Sequence, residues 1–338
     1  MNSLSFLDKI KGKRILYAVL DWGLGHASRS IPLIKRLLTQ NELWIGSNGA
    51  SLHLLINEFP NVPTVELPAY NITYKRKGFL GSMLSQTPKI MLAMSKELDL
   101  TELLVDKYDI DLVISDHRLG CHSRTCKSVI MAHHIQIQTD VGFFGMVGSK
   151  VNKFFINQFD QCWIPDYENR ALSLAGKLSE SHGLKSPLYI GPLSRLKKGA
   201  KPISYDICVV LSGPEPTRSD LEKLLLDILS SSEWRVVFIT GTENNKHLDK
   251  PNLDIRGLCH TAEITAAINA SNLVIARSGY STIMDMALLG KKALLIPTPG
   301  QTEQEFLALH LSNRKEFKFV TQDNLSSQVI AEFLNKTD

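Results

Sequence analysis

The stretch RILYAVLDWGLGHASRSIPLIKRLL, Arg14 to Leu38, decides how the chain is read. An apolar, β-favouring run ends at Asp21, Gly23, Gly25 and His26 follow, and apolar residues then recur at helical spacing from Ile31 to Leu38. This is the outline of a nucleotide-binding strand, turn and helix, where glycines let backbone approach a ligand. The dinucleotide fingerprint would place a third glycine at position 28, but Ser28 stands there. Directly after the second glycine comes His26, which a phosphate turn does not need. Its purpose depends on groups elsewhere in the chain.

Working outward, short buried-strand runs alternate with amphipathic ones. RILYAVL, LWIGS, DLVISD, SVIMAHH and QCWIPD read as strands, separated by helical IPLIKRLLTQ, SLHLLINEF and LTELLVDKY. From Pro187 to Tyr205 the chain is rich in Pro, Gly and Lys without periodicity, which reads as a linker. The alternation then restarts with DICVVLSG and runs to KALLIPTP. Alternation of this kind means α/β units with parallel sheets covered by helices, and ligands at the carboxyl ends of the strands. The expected division is residues 1–195, residues 196–320, and a last helix over 321–338 packing back on the amino-terminal domain.

Composition agrees. The chain has 338 residues, 43% hydrophobic and 21% charged, which suits two cores. A net charge of +4 is small for this size and gives no reason to expect nucleic acid. Five scattered cysteines, a short polar-interrupted beginning and no apolar run near the ~20 residues of a membrane span point to a reduced, cytoplasmic, soluble protein. YKRKGFLGSMLSQTPKIMLAM (74–94) and DVGFFGMVGSKVNKFF (140–155) set basic residues beside Phe, Leu and Met. They suit an anionic membrane surface, and equally two ordinary amphipathic helices.

The most informative stretch is NLVIARSGYSTIMDMALLGKKALLIPTPGQTEQE, residues 272–305. A strand ends at Ala276 and RSGYST turns into a helix, so Ser278, Gly279, Ser281 and Thr282 offer small side chains and free N–H groups to an anion. Asp285 lies one turn along, where a carboxylate can take a ribose diol. PTPGQTEQE puts Gln304 on a loop after the next strand. Each feature alone is satisfied by helix capping or a solvated loop; together they describe a binding edge.

This stretch resembles the donor-sugar signature of the family-28, GT-B glycosyltransferases, and GLGHASRSIPLIKRL (23–37) resembles the turn that opens their acceptor domain. HHIQIQTD, WIPDYENRALSLAGKLS and YIGPLSR resemble the middle of small bacterial relatives. The resemblance implies two Rossmann-like lobes with parallel sheets facing an interdomain cleft. It also implies transfer of a sugar from a UDP-sugar co-substrate to a saccharide or lipid-linked acceptor, with no cofactor and no metal. Gly23 and Gly25 then bring backbone to the cleft, and His26 is the general base, the role imidazole most often takes. The alternative for His26 is a capping histidine.

Carried over residue by residue, the resemblance assigns Ser278, Gly279, Ser281 and Thr282 to the donor loop and Gln304 to the donor sugar. Asp285 stands where the family has a longer Glu on the ribose, and Leu307 where it has Asn. LSGPEPTRSD (211–220) replaces a Gly-Gly-Ser turn: Gly213 survives, Pro214 and Pro216 remove N–H donors, and Arg218 could restore charge. Arg195 is a phosphate contact displaced by one position, and backbone groups of Leu258 and Cys259 bracket the base. Asp116, at the end of DLVISD with His117 and Arg118, is the acceptor-side carboxylate. The DID at Asp109 to Asp111 spells a metal motif but precedes its strand, and CHSRTC lacks further zinc ligands. Two other readings remain open on the same fold, a UDP-sugar 2-epimerase and a non-catalytic nucleotide-sugar-binding protein.

Overall fold

The computed structural model describes residues 4–70, 79–138, 142–242 and 250–335. Two compact units emerge, Met1–Leu193 and Ser194–Asp338. In the first, β1 (Arg14–Val19), β2 (Glu42–Ser47), β3 (Thr64–Glu66), β4 (Leu112–Asp116), β5 (Lys127–Met131), β6 (Gln161–Ile164) and β7 (Pro187–Tyr189) form one sheet. The helices are α1 (Leu24–Leu37), α2 (Gly49–Glu58), α3 (Phe79–Tyr108) and α4 (Gly142–Ile156). Every strand pair is parallel, in the order β3-β2-β1-β4-β5-β6-β7. Parallel strands need crossovers, so both faces of the sheet are covered and the strands are continuous apolar runs. β4 is buried at all its positions, and β1 at all but Arg14.

The strand order fixes where a ligand can bind. From β1 the chain winds outward through β2 and β3, then returns to place β4 on the other side of β1. Val19 pairs with Asp116 at the carboxyl ends of these two strands. Loops leaving neighbouring strands in opposite winding directions open a crevice there. The Pro187–Tyr189 segment, read as linker, is instead a three-residue edge strand; Pro187 lacks an N–H to donate and occupies the strand's first position, where that loss matters least.

The second unit contains β8 (Tyr205–Val210), α5 (Thr217–Leu229), β9 (Val236–Ile239), β10 (Leu253–Arg256), α6 (Thr261–Asn269) and β11 (Ser271–Ala276). It continues through α7 (Tyr280–Leu289), β12 (Lys292–Leu295), α8 (Thr302–Leu311), β13 (Phe317–Phe319) and α9 (Ser327–Leu334). Its parallel sheet runs β10-β9-β8-β11-β12-β13, with the reversal between β8 and β11. Val209, Phe238, Ile275 and Leu294 meet Leu221 and Leu225 of α5 in one core. The last helix, expected on the amino-terminal domain, has its buried residues Ile330 and Phe333 in this same core. Its apolar stripe finds a partner in the unit to which it is joined. Among the described residues no helix is long and apolar enough to cross a membrane.

Candidate functional site: a buried carboxylate and a strand-to-helix seat

In the amino-terminal unit the reversal brings together residues 90 positions apart. Gly23, at φ +77°, is the residue before α1, a backbone state that glycine adopts without strain. Its carbonyl accepts a hydrogen bond from Ser51 Oγ at 3.2 Å, and Gly25 lies inside the first turn of the helix. The helix start aims His26 at the end of β4, where Nδ1 lies 2.9 Å from Asp116 Oδ1. Asp116 is completely buried, whereas the His26 side chain keeps 16% of its surface exposed. The pair thus has an inner, dry member and an outer, accessible one.

The carboxylate has further partners on α1, spaced to share one helix face with His26. Arg29 Nε donates to Asp116 Oδ2 at 2.8 Å and Arg29 Nη2 donates to Oδ1. Ser30 Oγ donates to Oδ2 at 3.0 Å. Arg29 Nη1 reaches His133 Nδ1 at 2.9 Å, and Arg29 is itself buried. Burial alone would raise the Asp116 pKa, but the Arg29 charge, His26 and their hydrogen bonds outweigh it and hold the carboxyl well below the usual range. An ionised carboxylate only accepts, so the proton between the pair sits on His26 Nδ1 and leaves the Nε2 lone pair available. Arg29 Nη2 also lies 3.0 Å from that Nδ1, but two donors cannot bond each other, and its hydrogen goes to Asp116.

His117 adds a strained element. Its φ is +60°, in the left-handed region that non-glycine residues rarely adopt, and its ring centre is 6.0 Å from that of His26. Burial first, then the nearby His26, Arg29 and His133, push its pKa well below the ordinary value, so the ring stays uncharged. Arg118 turns the other way. Its buried guanidinium meets Glu97 Oε1 at 2.5 Å and the Val19 carbonyl at 2.8 Å, locking α3 to the ends of the strands.

In the carboxyl-terminal unit the strand-to-helix turn forms as its residues imply. Gly279 precedes α7, whose first turn carries Ser281 and Thr282, both half-buried. Ser278 is fully buried, and its hydroxyl donates to the Gln304 carbonyl at 2.8 Å, which braces this turn against α8. Gln304 Oε1 accepts from Thr298 N at 2.9 Å and its Nε2 donates to Gln301 at 2.6 Å. Asp285 is partly buried, and Ser194 Oγ donates to its Oδ1. Burial pushes the Asp285 carboxyl up to about 7, against the lowering influence of Ser194 and of the Arg195 charge. Arg195 Nη1 donates to Thr261 Oγ1 at 3.1 Å, at the start of α6. Leu258, 62% exposed, and Cys259 lie on the loop before that helix. Gly213 follows β8 at φ +109°, with open space where a Cβ would stand.

The sequence of this unit matches the profile of the glycosyltransferase family 28 C-terminal domain over residues 217–337. The UDP-N-acetylglucosamine-N-acetylmuramyl-(pentapeptide) pyrophosphoryl-undecaprenol N-acetylglucosamine transferase of Prochlorococcus marinus is 31% identical over 136 residues, 38% of this chain and 37% of that one. The aligned part therefore spans little more than a third of that enzyme's length. An uncharacterized glycosyltransferase of Methanosarcina mazei is 27% identical over 313 residues, 86% of this chain and 81% of its own. The crystal structure of MurG from Acinetobacter baumannii superposes with a TM-score of 0.55 at 16% identity, covering 95% of this chain and 89% of that one. Residues 217–337 thus carry the C-terminal domain of the family-28 glycosyltransferases. The fold of the chain is GT-B, with two parallel-sheet α/β lobes.

Within that family setting, the expectation for Arg218 changes. Arg218 does not stand ready for phosphate: its guanidinium is held by Glu215 Oε1 at 2.7 Å and Glu222 Oε2 at 2.7 Å, so its charge is already balanced. The DID carboxylates lie at the opposite end of β4, where Asp109 accepts from Arg14 Nη1 at 2.8 Å and Asp111 from Arg14 N at 2.8 Å. Leu307, in place of the family's asparagine, is fully buried and belongs to the core. Sequence reasoning missed Arg29, Ser30 and Ser194. The i+3 and i+4 spacing of the first two from His26 was a usable signal; nothing local marks Ser194.

The two carboxylates should respond to pH with opposite sign. Asp116→Asn leaves Arg29 buried without a counter-charge and should cost about 3 kcal/mol in urea unfolding. Because the native carboxyl lies below its ordinary value, the advantage of the parent should be full from pH 5 to 8 and shrink only below about pH 4. For Asp285, raised from 3.8 to about 7, the charged form carries a penalty that grows as pH climbs through that window. Asp285→Asn should therefore gain on the parent between pH 4 and 8, by about 1–3 kcal/mol; a difference that does not vary with pH would contradict the burial of that charge.

Proposed function

We propose that this protein transfers a sugar, with N-acetylglucosamine the first to test, from a UDP-sugar to an acceptor hydroxyl of a saccharide or lipid-linked glycan. The observation that carries this reading is the His26–Asp116 pair, an ionised buried carboxylate holding an accessible imidazole as the Nε2 base. The relatives' names support the donor class, since the Prochlorococcus enzyme is named for UDP-N-acetylglucosamine.

In this reading the acceptor hydroxyl lies within hydrogen-bond reach of His26 Nε2. As its oxygen bonds to the anomeric carbon, the bond from that carbon to the diphosphate oxygen breaks, UDP leaves with the electron pair, and the hydroxyl proton passes to Nε2. Asp116 stabilises the resulting imidazolium, and Arg29 keeps Asp116 from taking the proton itself. On the donor side, the diphosphate sits at the amino end of α7 by Ser281 and Thr282, where N–H groups and the helix dipole favour negative charge. Asp285 takes the ribose, backbone at Leu258 and Cys259 brackets the uracil, Gly213 gives backbone access, and Gln304 contacts the sugar. Arg195, whose charge lowers the Asp285 pKa, supplies a cation at this edge. With charge met in this way, the reaction needs no metal ion.

An acceptor on a lipid would be met at an anionic cytoplasmic membrane surface. The exposed face of α4 carries Met146, Val147, Val151 and Phe154 with Lys150 among them. Of the other basic stretch, Lys75, Arg76 and Lys77 lie outside the described residues, while Met91 and Leu92 of α3 are exposed. Apolar side chains flanked by lysine suit the headgroup boundary.

His26→Ala should slow UDP release from UDP-N-acetylglucosamine with a glycan acceptor by ~10²–10⁴-fold and leave calorimetric UDP affinity within about twofold. Unchanged turnover would return His26 to helix capping. Phe154→Glu should release the protein from vesicles containing phosphatidylglycerol in a sedimentation assay while sparing turnover on a water-soluble acceptor. Equal sedimentation of variant and parent would remove α4 from the membrane contact.

A further inference from the structure

Asp285 poses a problem of reach. It is one methylene shorter than the glutamate that the family resemblance places on the ribose, and its Oδ1 is already engaged by Ser194. The hydrogen-bond valences of Ser194 supply a way out. Its Oγ donates its only proton to Asp285 in preference to the Leu196 carbonyl at 3.4 Å, and it accepts from Leu196 N at 3.0 Å. A hydroxyl oxygen accepts twice, so one lone pair remains. Ser194 is half-buried, so the residue keeps part of its surface accessible. The Leu196 N–H and the carboxylate fix the orientation of the oxygen before any ligand arrives.

We propose that Ser194 and Asp285 together form the ribose seat, with the Ser194 hydroxyl as the group that accepts a hydrogen bond from a ribose hydroxyl. This rests on the reading of the carboxyl-terminal unit as a UDP-sugar site. In its ionised form the carboxylate polarises the serine from behind: a hydroxyl that donates to an anion becomes a better acceptor, because chained hydrogen bonds reinforce one another. A serine on the segment before β8 thus restores the length that the shorter acid gives up. Recognition of this kind is directed at a hydroxyl. A site built to pair with a hydroxyl is left with an unpaired polar group by the analogue that lacks it, and so rejects that analogue.

The test is calorimetric binding of UDP and 2′-deoxy-UDP to the full chain, for the parent, Ser194→Ala and Ser194→Thr. The parent should prefer UDP by about tenfold. Ser194→Ala should bind UDP more weakly, hardly change for 2′-deoxy-UDP, and so lose most of that preference; Ser194→Thr, which keeps a hydroxyl, should retain it. Equal weakening of both nucleotides in Ser194→Ala would mean that Ser194 only braces Asp285 and Leu196, and would overturn the proposal. Undiminished preference in Ser194→Ala would overturn it while leaving the nucleotide site intact. No binding of either nucleotide to the parent would overturn the site itself and the proposal with it.

Discussion

The amino-terminal unit is organised around one negative charge placed where water cannot reach it. Asp116 ends a strand in the middle of a seven-stranded sheet and is wholly buried. An isolated carboxylate there would be neutralised or would destabilise the fold by several kcal/mol. It is tolerated because α1 delivers a guanidinium, a hydroxyl and an imidazole to it from positions 29, 30 and 26. The helix can do this only because β1, which launches it, is hydrogen-bonded directly to β4. Strand order, helix phase and the ionisation of a single group are therefore one constraint. Of the three donors only His26 keeps an appreciable part of its surface exposed.

The carboxyl-terminal unit uses the same strand order with the opposite economy. Its prominent features are backbone ones: the amino end of α7, which no side chain caps, and a loop after β8 that carries Gly213. The polar side chains that the sequence offers there are largely occupied by neighbours, Arg218 by two glutamates and Ser278 by the Gln304 carbonyl. Buried Arg277 likewise ties together the carbonyls of Thr217 and Pro297, at 2.7 and 3.0 Å, and holds the loops around the helix start. Such dipoles are fixed by the fold itself and keep their orientation without side-chain rearrangement.

Much of the fold was legible because its causes are local. Apolar runs of strand length alternate with amphipathic helices, and the turn after β1 shows its glycines openly. The edge strand Pro187–Tyr189 was missed because three residues bounded by proline carry no periodicity, and only pairing with β6 makes them a strand. The last helix displayed an apolar stripe, but a stripe names no partner; Ile330 and Phe333 found theirs in the adjoining core. His26 and Asp116 could each be suspected, being a histidine in a glycine turn and a carboxylate at the end of a strand.

What the sequence by itself determined is the class of the molecule: two parallel α/β units, each with its binding edge at the carboxyl ends of the strands, and the residue types available there. These follow from hydrophobic periodicity and turn chemistry, which act over a few neighbouring residues. Tertiary structure alone decided which of those residues work together. Asp116 could as well have been a solvated strand end, Arg218 a phosphate ligand and Ser194 an inert linker residue. Their roles depend on distances between atoms 4 to 91 positions apart in the chain. Such distances are set by the order of strands in a sheet and by which polar groups find partners when water is excluded, and no local pattern encodes either.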